Sequence, residues 1–136
     1  MHKLLIADNK PEWRKFSRRV LGEKYDVVLV NTIDDLASLL EENGYDLILV
    51  NAELMRGEFK SSMHYLFQQN PDKPIIVVSV PSLSQQDEVQ ETRTAFKSGA
   101  KDCVDKPFSP ETLLTLVHQL LEEFVNQPSR TQGAQP

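Results

Sequence analysis

Five polar residues close the apolar runs of this chain: Asp8 and Asn9 after "KLLIA", Asn51 after "DLILV", Ser79 ending "KPIIVVS", and Lys106 after "KDCVD". They offer a carboxylate, two amides, a hydroxyl and an ammonium. Such a set binds through charge and hydrogen bonds. The Lys106 ammonium can pair with Asp8 and hydrogen-bond to the Asn51 carbonyl. The amide at 51 has nearly the shape of aspartate, but it adds NH2 donors where aspartate only accepts. Taken singly, each residue has a plain reading. An Asp or Asn after a strand turns the chain or caps the next helix, Ser79 is a satisfied hydroxyl, and "KPF" is a turn with a solvated lysine. Their joint placement is what gives them functional weight.

The elements that position these residues alternate. The runs at Lys3–Asp8, Tyr25–Asn31, Tyr45–Asn51, Lys73–Val80 and, more weakly, Lys101–Pro107 are nearly continuous in apolar, β-branched residues. Strands buried on both faces of a parallel sheet read this way. Helical periods lie between them. Trp13, Phe16, Val20 and Leu21 share a face behind Pro11. Thr32 caps a helix with Leu36, Leu39 and Leu40 inside, and Gly44 suits its end. Met63, Leu66 and Phe67 mark a helix from about 58 to 69, and a fourth runs roughly from Ser84 to Ser98. Ser109 and Pro110 start a last helix with the stripe Leu113, Leu116, Val117, Leu120, Leu121 and Phe124. The order βαβαβαβαβα predicts an α/β fold: a three-layer αβα, doubly wound, five-stranded parallel sheet with its site at the carboxyl ends of the strands.

Bulk properties bound the function. The 136 residues suit one domain, with 40% hydrophobic and 26% charged residues. Residues 1–125 form that domain, and the polar stretch 126–136 reads as a disordered tail or truncated linker. The net charge of −5 argues against a sequence-independent nucleic-acid binder. A single cysteine allows no intrachain disulfide and fits a reducing compartment. The apolar run at the N-terminus is too short for a signal peptide. No stretch approaches the roughly 18 apolar residues of a membrane span. The expected location is the cytoplasm.

With "LLIADN", "DLILVN", "IIVVS" and "SGAKDCVDKPF" at these strand ends, the chain to about Phe124 resembles the receiver domains of two-component response regulators. The resemblance implies the flavodoxin-like, receiver-type fold. It also implies a site in which an acidic pair after the first strand helps hold Mg²⁺. An aspartate ending the third strand takes a phosphoryl group from a histidine kinase. A Ser/Thr and a Lys hold the phosphoryl oxygens, and an aromatic on the fifth strand switches rotamer. Asp8, Ser79 and Lys106 match that pattern. Asn9 stands at the second acidic position, Asn51 at the phosphoacceptor, Cys103 at the aromatic switch, Val80 where a small residue is usual, and Met55 where proline is common.

The departures have chemical consequences. Acyl phosphate formation needs a carboxylate nucleophile, and an amide oxygen is a poor one. Mg²⁺ prefers carboxylate oxygens. Each lost charge at roughly 4 Å and a dielectric of about 20 removes on the order of 4 kcal/mol of gross attraction. No cofactor is expected, with Mg²⁺ binding at Asp8 weak at best. The expectation is therefore a pseudo-receiver: a signalling module, not an enzyme, acting by phosphorylation-independent contact. Its protein partner is a histidine kinase or another signalling protein, with no direct nucleic-acid contact and no membrane. The segment "SVPSLSQQDEVQ", longer than the family pattern, offers a recognition surface. Two other readings stay open. One is a phosphoaccepting receiver whose Asp has been replaced by Asn51. The other is a flavodoxin-like cofactor binder, disfavoured because "ADNKPEW" has no phosphate loop. His2, His64 and His118 supply no phosphohistidine motif, and no ATP-binding glycine loop is present. Cys103 reads as a buried thiol, and Lys10, Arg14, Lys15, Arg18 and Arg19 as a solvated basic face.

Overall fold

A computed structural model describes residues 1–42, 44–55, 58–69, 72–79, 102–105 and 109–125. Five strands, β1 (Lys3–Ala7), β2 (Asp26–Val30), β3 (Leu47–Asn51), β4 (Ile75–Ser79) and β5 (Asp102–Asp105), form one sheet in the order β2-β1-β3-β4-β5. Every pairing is parallel. The described helices are α1 (Pro11–Leu21), α2 (Ile33–Leu40), α3 (Phe59–Gln69) and α4 (Pro110–Val125). The helix expected from Ser84 to Ser98 and the tail 126–136 lie outside the described residues. Among the described residues, no helix is long and apolar enough to cross a membrane.

Alternate strand side chains build two cores, because successive Cβ atoms point to opposite faces. Leu5, Ile48, Val50, Ile75 and Val77 pack with Leu36 and Leu40 of α2 and Met63 and Leu66 of α3. Leu4, Ile6, Leu47, Leu49, Ile76 and Val78 pack with Leu21 of α1 and Leu113, Val117, Leu120 and Leu121 of α4. This two-sided burial explains why the strands read as unbroken apolar runs.

Local signals set the helix ends. Pro11 opens α1 behind Lys10, which makes no side-chain cap. The Thr32 hydroxyl accepts from the Asp35 N–H at 3.0 Å, and the Ser109 hydroxyl from the Thr112 N–H at 3.1 Å. Both satisfy donors that a helix start leaves over. α2 stops at Leu40, short of Gly44, whose φ of +89° turns the chain toward β3. That conformation suits glycine because it has no Cβ to clash.

Candidate functional site

Strand order changes direction between β1 and β3, since β1 sits between β2 and β3. In open α/β sheets the crevice outside such a switch point is where ligands bind. The register sets Ala7 against Val50, so Asp8 leaves β1 beside Asn51. Asn51 pairs in turn with Val78, and Ser79 with Asp105. The sheet therefore gathers the ends of β1, β3, β4 and β5 in order along one rim.

Asp8 and Asn51 are buried, with 3% and 1% of their surface exposed. Buried polar groups need partners, and both have them. Asn51 Nδ2 donates to Asp8 Oδ1 at 3.2 Å, and the same oxygen accepts from the Lys10 backbone N–H at 2.9 Å. Asn51 Oδ1 accepts from the Glu53 backbone N–H at 2.9 Å. That last bond caps a 3-10 turn, Ala52–Met55, that leaves β3 directly. Asn51 thus fixes two loops at once, one through each end of its amide. Aspartate can keep the turn cap, but it has no hydrogen to give Asp8.

Two further side chains join the site. Lys10 Nζ lies 3.8 Å from Glu53 Oε1. That oxygen is buried and, among the described residues, has no hydrogen-bond partner. Arg14 Nη1 donates to the Asp8 carbonyl at 2.9 Å, tying the first turn of α1 to the end of β1. The sequence reading assigned Lys10 and Arg14 to a solvated face and did not single out Glu53. Their signal was adjacency: Lys10 lies two residues after Asp8, and Glu53 two after Asn51. Lys15, Arg18 and Arg19 are exposed as read, with Arg19 over the Phe16 ring at 5.7 Å.

The remaining predicted positions divide. Asn9 is exposed, in the loop between β1 and α1. Met55 is buried among Leu36, Ile48 and Met63, so a core side chain replaces a proline there. Ser79 and Cys103 occupy β4 and β5, and their side chains fall outside the described set. Lys106, Val80, Phe108 and the segment Pro81–Gln86 also lie outside the described residues. The described partner of the Asn51 carbonyl is the Glu53 N–H. No group of three or more His, Cys, Asp or Glu able to hold a metal ion occurs among the described residues.

Comparisons with known proteins agree on the family. The family model "Response regulator receiver domain" matches residues 4–118. The response regulator protein PilR of Pseudomonas aeruginosa is 28% identical over 116 residues, covering 85% of this chain and 25% of PilR. The heme response regulator HssR of Staphylococcus saprophyticus is 22% identical over 122 residues, covering 88% of this chain and 51% of HssR. The chain thus spans about a quarter and about half of these relatives. Among solved structures, a CheY-like receiver domain protein of Methanospirillum hungatei superposes with a TM-score of 0.80 at 21% identity, covering 93% of this chain and 98% of its own. The receiver domain of Francisella response regulator 1452 gives 0.74 at 25% identity, covering 90% and 98%. The sheet order, the polar rim at the switch point and a family match over most of its length make one assignment: this chain belongs to the response regulator receiver domain family of two-component signalling.

Proposed function

We propose that this chain is a pseudo-receiver, a signalling module that works through protein–protein contact without forming an acyl phosphate. The observation that carries the reading is Asn51, an amide hydrogen-bonded at both ends where the family's reaction takes a carboxylate nucleophile. Phosphoryl transfer needs an anionic oxygen with a free lone pair directed at phosphorus. The Asn51 oxygen is neutral and already accepts from the turn. In its place the amide supplies a fixed geometry, which serves recognition.

The donor set suits Mg²⁺ poorly. Asp8 Oδ1 already accepts two hydrogen bonds, Asn9 is exposed, and Glu53 Oε1 faces an ammonium. Mg²⁺ wants near-octahedral oxygen ligands with carboxylate charge. The partner is a histidine kinase or another signalling protein, met through the helical faces or the segment after β4. The retained Asp8, Ser79 and Lys106 support a second reading, in which one substitution silenced a phosphoaccepting receiver.

The test is incubation with a small phosphodonor and Mg²⁺, for this chain and for Asn51→Asp. The expected result is no acid-stable, base-labile phosphate on this chain. Stoichiometric phosphate on it would overturn the proposal. Phosphate on Asn51→Asp alone would favour the second reading. Capture of partners by this chain, undiminished when phosphodonor is withheld, is the complementary measurement.

A further inference from the structure

Three hydrogen bonds and one ion pair around Asn51 close into a ring that no single pair reveals. The Lys10 N–H donates to Asp8 Oδ1, which also accepts from Asn51 Nδ2. Asn51 Oδ1 accepts from the Glu53 N–H, and Glu53 Oε1 returns to Lys10 through its ammonium. Each arm of the ion pair is thus held by its own backbone to one half of the Asp8–Asn51 pair. Lys10 is fixed further, since its carbonyl accepts from the Trp13 and Arg14 N–H groups. The ring joins the loop after β1 to the turn after β3.

The geometry points to Lys10 as a built-in cation, whose ammonium supplies the positive charge a divalent ion would otherwise bring and thereby keeps the pocket metal-free. This deepens the metal-poor reading of the site and rests on it. Glu53 Oε1 is a buried carboxylate oxygen without a hydrogen bond among the described residues. A buried carboxylate is costly unless a positive charge accompanies it. Lys10 supplies that charge from a side chain 46% exposed, which leaves it room to be displaced. Bound metal and the Lys10–Glu53 pair are therefore mutually exclusive: a divalent ion ligated by Glu53 and Asp8 must expel the ammonium by like-charge repulsion. The residue two places beyond Asp8 thus adds a second control on metal uptake to that of the residue at 51.

The test uses the full chain, with Mn²⁺ as probe, read by electron paramagnetic resonance and by the shift in thermal midpoint. Expected is weak or no binding for the unmodified chain and at least about tenfold tighter binding for Lys10→Met. A ligand that binds only the folded state raises its midpoint, so the variant's midpoint rises with Mn²⁺. Lys10→Arg keeps the cation and stays metal-insensitive. Lys10→Met with Glu53→Gln loses the gained affinity. Equal Mn²⁺ affinity in the unmodified chain and Lys10→Met overturns the inference, as does a gain that survives Glu53→Gln. If Lys10→Met does not fold, Lys10→Gln, which also removes the ammonium, takes its place: Mn²⁺ affinity equal to that of the unmodified chain overturns the inference, and at least about tenfold tighter binding supports it. None of these readouts involves phosphate, so they stand apart from the phosphodonor experiment.

Discussion

Replacing Asn51 with aspartate turns the Nδ2 that donates to Asp8 Oδ1 at 3.2 Å into an oxygen. Two carboxylates at that separation repel by about 5 kcal/mol at an effective dielectric of about 20. A hydrogen bond to a charged acceptor, worth about 1.5–3 kcal/mol, is lost as well. Proton uptake limits the damage, because a protonated carboxyl donates much as the amide did. Starting from an ordinary aspartate pKa of about 3.9, keeping that proton costs about 4 kcal/mol at pH 7 and about 1.5 kcal/mol at pH 5. The variant's carboxyl pair binds its shared proton more tightly folded than unfolded. Its stability is therefore greatest below about pH 4 and falls as pH rises through the folded-state value. Urea denaturation with chelator, at about pH 5 and pH 7, measures this. The expected deficit against the unmodified chain is about 1 kcal/mol at the lower pH and about 2–4 kcal/mol at the higher. A deficit below about 0.5 kcal/mol at both pH values, the ordinary range for a neutral surface change, would refute the Asp8–Asn51 hydrogen bond as the reason for the amide.

Other outcomes follow from the same structure. Thr32→Ala removes the acceptor for the Asp35 N–H and is expected to lower stability by about 1 kcal/mol, read as a lower urea midpoint at unchanged slope. Arg14→Ala loses the bond to the Asp8 carbonyl and should cost about 1–2 kcal/mol, whereas Lys15→Ala, on the exposed side, should stay within about 0.5 kcal/mol; equal effects would count against Arg14 as a tie between α1 and β1. Burial raises the Tyr25 phenol above its ordinary 10.0, and burial reinforced by Glu42 and Asp26 raises that of Tyr45. Folding stability from these groups is complete below pH 10 and is lost as pH rises through the folded values. An ultraviolet titration should show two phenols ionising late, with unfolding following, and Tyr45→Phe should weaken the alkaline loss. Leu36→Ala, at a side chain with no exposed surface, should cost about 2–5 kcal/mol by leaving a cavity between α2 and the sheet.

The sequence by itself determined the alternation of elements, the buried parallel strands and the caps at Thr32 and Ser109, because these depend on local periodicity and on backbone donors within three residues. It also showed that an amide stands at 51, and family resemblance gave that position its meaning. What it could not decide was how the amide is used. The contact between Asp8 and Asn51 spans 43 residues of chain and exists only because the β1–β3 register sets Ala7 against Val50. Lys10 and Arg14 read as solvated charges, and Glu53 carried no reading of its own, until that register brought their loops together. Charge is legible in a sequence, but its partner is fixed by distance, and distance between strand ends is set by the sheet.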